Sequence, residues 1–295
     1  MNGFIIVNKE QNITSFGVCS RLRRITGIKK IGHTGTLDPM ACGVLVAALG
    51  NAAKLIDYIP NHDKEYTAGI RFGYTSDTYD IWGTLNKAGI PSFDKETLMG
   101  ALNTFKGDIT QFTPAYSAAR YNGRHLYEYA RKGIEVELPK RDVSIKSIKL
   151  LSFDELTYSA VINVQCSKGT YIRSICNELG EMLGCGAVME SLLRTRAGNF
   201  TLKNSYTLAQ IEEKYNSSDM SFLLPYDIAI SHLNRIDVDM SAETLLRTGS
   251  LIPYVSMSKN ESVAYDDKAA IYINDRFAAL GVVQANGIKP YKVFI

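Results

Sequence analysis

The residues best suited to chemistry lie in one short segment, residues 32–39, which reads Gly-His-Thr-Gly-Thr-Leu-Asp-Pro. Its single carboxylate, Asp38, directly precedes a proline. Proline fixes its own φ and keeps the preceding residue out of the α region, while glycine lets a ligand approach the backbone closely. The apolar run 43–50 that follows is typical of a buried strand. We therefore predict that Asp38 lies in a rigid bend, although an Asp-Pro pair alone is more typical of a purely structural turn.

Two further segments carry side chains that could act with this carboxylate. Residues 64–75 alternate apolar and polar side chains, which predicts a half-buried strand whose apolar face begins at Tyr66. A core tyrosine is the simpler interpretation of that position. Residues 167–173 join a strand to a helix, and we expect Tyr171 and Arg173 in its first turn, off the buried stripe. Free N–H groups and a guanidinium there favour an anion, whereas an inert surface arginine is the alternative.

Composition excludes several classes of protein. The chain has 295 residues, 45% of them hydrophobic, which is enough for a core, and no apolar run reaches the ~18 residues of a membrane span. Its five cysteines are odd in number and contain no Cys-x-x-Cys pair, which indicates reduced thiols in a cytoplasmic protein. The four histidines are scattered without ligand spacing, so we predict no metal site. The glycine-rich segment 32–39 does not match a nucleotide-binding loop.

Local charge favours an anionic partner more than the net charge of +3 does. Arg124, Arg131 and Lys132 lie in a segment in which four tyrosines are interleaved with basic residues. Cations suit phosphates and flat rings suit unpaired bases, so this segment is consistent with RNA binding. A solvated helix face with ordinary tyrosine packing explains the same pattern equally well.

Hydrophobic periodicity predicts an α+β fold with a largely antiparallel mixed sheet. Strands are predicted at 3–8, 43–49, 64–75, 142–151 and 158–166, and helices at 15–26, 51–58, 95–106 and from 172. Residues 108–124 are predicted to be irregular, with a tight hairpin turn at 121–124. From about residue 236 the pattern predicts a small β-rich domain.

Four segments together resemble the standalone bacterial tRNA pseudouridine-55 synthases of the TruB type. They are residues 32–39, the Lys-Glu-Tyr entry to the strand at 64–66, residues 167–173, and the Leu-Leu-Arg-Thr segment 192–195. The resemblance covers roughly residues 3–230. It implies a pseudouridine synthase catalytic domain at 1–233, in which about 108–140 is an insertion that binds the T arm of tRNA through residues including Arg124, Arg131 and Lys132. It also implies a PUA-like RNA-binding domain at 234–295.

The resemblance also implies a role for particular side chains. Asp38 matches the catalytic aspartate, and Arg173 matches the cation that pairs with it and keeps it ionised. Tyr66 matches the tyrosine that stacks on the extruded base, and Tyr171 and Leu193 match residues of the pocket wall.

Two more positions match residues near that pocket. Lys9 matches a lysine beside the active site, although the proline that usually follows it is replaced here by Glu10. His33 matches the histidine that occupies the space left by the target base. Such an enzyme converts uridine 55 of the T loop to pseudouridine, needs no cofactor or metal, and has to extrude the base.

Alternatives remain at this stage. The implied partner is the T arm of tRNA, with no membrane, guide RNA or obligatory protein partner, and the chain is predicted to be a monomer. A non-catalytic RNA-binding factor or tRNA-folding chaperone on the same scaffold would need only the basic surface. Guide-dependent relatives are less similar around residues 38–43, and a glycosidase would need a second marked carboxylate.

Overall fold

The protein was analysed as a computed structural model that describes residues 1–260 and 263–295. Its contacts divide the chain into two compact units. The larger consists of Ile5–Ala47 and Asn61–Phe222, and the smaller of Met1–Phe4, Ala48–Pro60 and Leu223–Ile295. The predicted domain boundary between residues 233 and 234, and the predicted insertion at 108–140, remain predictions.

The strands and helices have the following bounds. The strands are β1 (Gly3–Lys9), β2 (Ile31–His33), β3 (Cys42–Leu49), β4 (Lys64–Phe72), β5 (Tyr74–Ser76), β6 (Leu85–Lys87), β7 (Gly107–Phe112), β8 (Arg120–Tyr121), β9 (Arg124–His125), β10 (Lys140–Asp154), β11 (Ser159–Cys166), β12 (Ala187–Ala197), β13 (Phe200–Thr201), β14 (Leu223–Leu224), β15 (Asn234–Val238), β16 (Ile252–Pro253), β17 (Met257–Asn260), β18 (Lys268–Ile273), β19 (Arg276–Gln284) and β20 (Gly287–Val293). The α-helices are α1 (Ser15–Thr26), α2 (Lys95–Asn103), α3 (Leu126–Ala130), α4 (Ile172–Met182), α5 (Leu208–Asn216) and α6 (Glu243–Thr248). Short 3-10 helices span Gly50–Tyr58, Leu202–Asn204, Tyr226–Ile230, Met240–Ala242 and Tyr254–Ser256.

The main sheet of the larger unit is mixed and mostly antiparallel. Its strands follow the order β1-β3-β12-β4-β11-β10-β7. Strands β3 and β12 are parallel, whereas the neighbours from β12 to β7 are antiparallel. Strand β3 is buried along almost its whole length, because both of its faces are covered. The predicted fold class is therefore confirmed.

The smaller unit contains a second sheet, with the strand order β16-β20-β19-β18-β15-β17. Its core consists mainly of small and branched apolar side chains from these strands, and Leu246 of α6 packs into it. Helix α6 ends at Gly249, which adopts the left-handed conformation that favours glycine. The predicted β-rich C-terminal region is confirmed.

Most predicted elements are present, and the exceptions have identifiable causes. The helix predicted at 15–26 matches α1, with Thr14 as its cap. The hairpin turn at 121–124 is confirmed, with positive φ at Asn122 and Gly123.

Two expectations about secondary structure were wrong. The region 108–124 is not irregular throughout, because Gly107–Phe112 forms β7 and pairs with β10. As the last strand of the sheet it is largely exposed, so its sequence lacks an apolar alternation. The segment predicted as a helix at 51–58 is a 3-10 helix that begins at Gly50, without a side-chain cap.

Within the described ranges, every helix is too short or too polar to traverse a bilayer.

Candidate active site

Asp38 lies in a tight turn between β2 and β3. The N–H of Ala41 donates to the carbonyl of Asp38 at 3.0 Å, which closes a β-turn with Pro39 at its second position. The Asp38 side chain is 32% exposed. This turn confirms the predicted bend at Asp38. Hydrogen bonds from the surrounding side chains fix the bend further.

Lys9 holds the turn from one side. This residue is fully buried at the end of β1, and its Nζ donates to the carbonyls of Pro39 at 3.3 Å and Ala41 at 2.5 Å. It also donates to Glu10 at 2.9 Å. Burial lowers the pKa of the Lys9 amine to about 8, while nearby Asp38 acts in the opposite direction. Lys9 therefore contacts the backbone on the C-terminal side of Asp38. The resemblance placed a lysine in this neighbourhood.

Ser15 holds the same turn from the other side. Its hydroxyl accepts from the N–H of Leu37 at 2.8 Å and donates to the carbonyl of Leu37 at 3.0 Å. Ser15 is 3% exposed and is the first residue of α1. One side chain thus satisfies both backbone groups of the residue before Asp38, which fixes the direction in which the carboxylate points.

Arg194 of β12 fixes the segment that leads into the turn. Its guanidinium is buried and donates to the carbonyls of Val44 at 2.6 Å, Gly35 at 3.1 Å and Thr36 at 3.3 Å. Gly43 makes this close packing feasible, because a Cβ there would lie 2.3 Å from the Arg194 carbonyl oxygen. The backbone of residues 35–44 is therefore anchored to a strand that lies far away in sequence.

Arg173 pairs with Asp38, but its environment differs from the expectation. Its Nε lies 3.5 Å from Oδ2 of Asp38. The prediction that Arg173 lies off the buried face of its helix was wrong, because the side chain is only 4% exposed. Its two terminal nitrogens donate to the carbonyls of Tyr116 at 2.6 Å and Thr78 at 3.3 Å. The loops that carry those carbonyls cover the first turn of α4, which helical periodicity alone does not reveal.

Tyr171 precedes α4 and lines the same cavity as Asp38. Its backbone is clamped by Gln111 of β7: its N–H donates to Oε1 at 3.0 Å, and its carbonyl accepts from Nε2 at 3.2 Å. The Arg173 guanidinium carbon lies 5.9 Å from the centre of the Tyr171 ring. The Arg173 guanidinium thus lies over the Tyr171 ring.

Tyr66 completes this cavity, which has a volume of about 340 Å³. The ring belongs to β4 and is 8% exposed. Burial raises the pKa of the Tyr66 phenol above its ordinary value, and nearby Arg194 partly offsets that rise. The phenol is therefore protonated at neutral pH and can donate a hydrogen bond.

One predicted wall residue is replaced by its neighbour. Leu192 and Arg194 line the cavity, whereas Leu193 lies between them on β12 and does not. Successive side chains of a strand point to opposite faces, so only alternate residues can contribute to one wall. Leu192, which is 7% exposed, occupies the position in the cavity wall that was predicted for Leu193.

His33 lies in a second cleft of about 770 Å³, whose wall also includes Asp38 and Arg173. Burial lowers the pKa of the His33 imidazole, and Arg194 lowers it further. Its Nδ1 is buried and has no hydrogen-bond partner among the described residues. A neutral ring next to Asp38 is compatible with a role as a space-filling group.

The predicted RNA-binding residues do not all reach the site. Arg131 lines the second cleft, and its guanidinium carbon lies 5.3 Å from the centre of the Tyr127 ring. Arg124 and Lys132 are exposed, in β9 and just after α3 respectively, and line neither cavity. Their proposed role is thus confined to the outer surface.

Sequence reasoning missed the residues that hold the site together. Ser15, Gln111 and Arg194 act through backbone hydrogen bonds, and each is nearly or fully buried. A buried polar side chain has to be hydrogen-bonded, but a single sequence does not reveal its burial. Arg194 gave one signal, because it directly follows two leucines, and an arginine is rarely found in a buried position.

Two family models match adjoining parts of the chain. The model described as TruB family pseudouridylate synthase, N-terminal domain, matches residues 23–172. The model of the tRNA pseudouridylate synthase B C-terminal domain matches residues 173–231. The class defined by this site and these matches is that of the pseudouridylate synthases.

Curated relatives agree with this class over the full length. The chain is 41% identical over 296 residues to tRNA pseudouridine synthase B of Clostridium tetani (strain Massachusetts / E88), with both chains fully covered. It is 38% identical over 303 residues to the protein of the same name from Clostridioides difficile (strain 630), again with full coverage. The chain belongs to the TruB family of pseudouridylate synthases.

A solved structure shows the same fold at lower identity. A chain in the crystal structure of a Cbf5-Nop10-Gar1 complex matches with a TM-score of 0.71 and 24% identity. The match covers 99% of this chain and 85% of the other. At this identity the likeness concerns the fold alone.

Proposed function

We propose that this chain converts uridine 55 in the T loop of tRNA to pseudouridine, with Asp38 as the catalytic carboxylate. The observation that carries the proposal is the ion pair of Asp38 with buried Arg173, in a cavity lined by Tyr66 and Tyr171. Membership of the TruB family supports the reaction class, and the names of the curated relatives support tRNA as the substrate.

The residues of the cavity suit the steps of this isomerisation. The bond between N1 and C1′ breaks, the uracil turns, and C5 bonds to C1′ while the C5 proton is released and N1 gains one. No net oxidation occurs, so the step needs no redox partner. The Asp38 carboxylate can add to C6, attack C1′ or stabilise the positive sugar, and each role requires it to be ionised. Arg173 places a positive charge beside this carboxylate, with its Nε 3.5 Å from Oδ2.

The aromatic groups can hold the base while it turns. A uracil stacked in an RNA loop has to be extruded before Asp38 can reach it. The rings of Tyr66 and Tyr171 both line the cavity and offer flat surfaces against which the extruded base can stack. The neutral Tyr66 phenol is a hydrogen-bond donor, so it suits contact with a base oxygen better than proton abstraction.

We propose that the chain acts alone, as a monomer, on the T arm of tRNA. The test incubates the purified protein with a T-arm transcript containing 5-³H-uridine, without guide RNA or other protein. Tritium release, and pseudouridine mapped to position 55, are expected. Asp38→Asn should abolish release while RNA binding persists.

Three results would contradict parts of this proposal. Tritium release that persists in Asp38→Asn would remove Asp38 from the chemistry. Binding by the unsubstituted protein without any release would favour the non-catalytic RNA-binding factor. Pseudouridine formed at another position would contradict the choice of uridine 55 and retain the reaction class.

A further inference from the structure

The cavity around Asp38 contains far more positive than negative charge. Five basic side chains line it, namely Lys64, Arg141, Lys168, Arg173 and Arg194. Asp38 is the single acidic side chain among the described residues that line it. An uncharged uracil next to Asp38 does not account for this excess.

Two of the five cations have partners within the protein. Arg173 binds Asp38 and two backbone carbonyls, and Arg194 donates to three carbonyls. In the described part of the chain, no hydrogen bond or ion pair engages the side-chain nitrogens of Lys64, Arg141 or Lys168. These three side chains are therefore available to a ligand.

Among these three side chains, the buried one is Lys64, and its burial indicates a binding site. It is 7% exposed, whereas Arg141 and Lys168 are exposed. It lies two residues before Tyr66 on β4, so the two side chains share one face of the strand. A buried ammonium without a partner is unfavourable unless an anion joins it. Burial and, after it, the nearby Arg194 charge lower the pKa of Lys64 to about 8, although Cys166 and Asp63 act in the opposite direction.

The surroundings of Lys64 fit an anion with several oxygens. Gly169 has a positive φ, and a Cβ there would lie 2.7 Å from a terminal nitrogen of Arg141, so that guanidinium rests directly against the loop. The same wall includes Ile172, the first residue of α4, and a helix N-terminus favours negative charge. Lysine binds phosphate as a compact point charge.

We propose that Lys64, together with Arg141 and Lys168, binds a backbone phosphate of the RNA nucleotide whose base enters the cavity. The inference deepens the proposed function and rests on it, because it assumes that an RNA nucleotide occupies this cavity. Extruding a base moves its sugar and phosphates along with it, so a phosphate site beside the base site holds the nucleotide out of the stack. Lys64 therefore acts in substrate binding.

The experiment measures binding of a T-arm RNA by Lys64→Met, which keeps an unbranched side chain and removes the charge. Lys95→Met is the matched control, because Lys95 is exposed on α2 and lines neither cavity. Every protein also carries Asp38→Asn, so that turnover does not disturb the equilibrium. Each RNA is made with its normal linkages, or with one uncharged methylphosphonate on the 5′ or the 3′ side of the target uridine.

With normal RNA, we expect Lys64→Met to bind ~10-fold to ~100-fold more weakly, as for loss of a charge-assisted hydrogen bond. The slope of log K against log salt should become less negative by about 0.7, because one fewer counterion is released. Lys95→Met should change neither quantity. One of the two methylphosphonates should weaken binding by the Lys64 protein and have little effect on Lys64→Met, because the two changes remove the same contact.

The proposal would be overturned if Lys64→Met lost the same factor in affinity on all three RNAs, relative to the Lys64 protein. Unchanged binding of normal RNA by Lys64→Met would also overturn it. A melting temperature of Lys64→Met close to that of the Lys64 protein verifies that the variant is folded. If it is lowered, Lys64→Gln provides a second uncharged variant for the same comparison. Pseudouridine formation by the unsubstituted chain on normal RNA tests the proposed function separately, so failure of one proposal is distinguishable from failure of the other.

Discussion

Replacing Arg173 by alanine should damage both the fold and the chemistry. The arginine supports Asp38 at 3.5 Å and also satisfies the carbonyls of Tyr116 and Thr78 at 2.6 and 3.3 Å. Leaving a buried acceptor without its partner costs about 1–3 kcal/mol. Since water in the open cavity can reach part of this region, we take the lower half of that range for each carbonyl. The expected loss of unfolding free energy is about 2–4 kcal/mol.

Thermal unfolding gives the first measurement. At roughly 2 °C for each kcal/mol in a protein of this size, Tm should fall by roughly 4–8 °C. Tritium release from a T-arm transcript gives the second, and should fall to a small fraction of that of the unsubstituted protein at a temperature where both remain folded. Arg173→Lys retains the charge but lacks the planar guanidinium that reaches several acceptors. Its Tm should therefore lie between that of Arg173→Ala and that of the unsubstituted protein.

Asp38→Asn separates the two roles of Arg173. This variant retains both carbonyl hydrogen bonds and removes only an ion pair with a carboxylate that is about one-third exposed. Its Tm should change by less than the equivalent of about 1 kcal/mol, although tritium release should stop. An Arg173→Ala protein that melts like the unsubstituted one would refute the reasoning, because the two carbonyl bonds would then contribute nothing measurable.

Three further outcomes are expected. Ser15→Ala should lower kcat with little change in RNA affinity, because the backbone of Leu37 loses both of its hydrogen bonds to the hydroxyl; a normal kcat would show that the turn is rigid without it. Leu192→Ala should reduce tritium release more than Leu193→Ala, because only Leu192 lines the cavity, and the reverse order would contradict the assignment of the wall. The pKa of Lys9 is lowered to about 8, so between about pH 8 and 10.5 the unfolded chain binds more protons at this site than the folded one. Urea unfolding should therefore show the stability of the unsubstituted protein rising with pH relative to Lys9→Met across that window, and a constant difference would contradict the lowered pKa.

Local patterns in the sequence predicted the fold class, whereas the grouping of Tyr66, Tyr171 and Arg173 around Asp38 was implied by the resemblance to the TruB type. Alternating side chains located β4 and Tyr66, and the Asp-Pro pair located the turn. The burial of Arg173 was not predictable in this way. It depends on loops that carry Thr78 and Tyr116, which are distant in sequence from α4 and have no marked periodicity.

The same limitation explains why β7 and the hydrogen bonds between Gln111 and Tyr171 were not predicted. Strand β7 was missed because a strand at the end of a sheet exposes polar side chains, and its pairing with β10 is a tertiary property. The hydrogen bonds of Gln111 to Tyr171 span 60 residues. Neither feature leaves a pattern within a short window of sequence.

The turn that carries Asp38 is held by side chains from near the beginning and near the end of the larger unit. Arg194 bonds to Thr36 across 158 positions, and Lys9 bonds to Ala41 across 32. Contacts of such long range require the loops between them to close, which has an entropic cost and slows folding. Activity regained during refolding would then report completion of the whole unit, and the last step in assembling the fold would coincide with the first turnover.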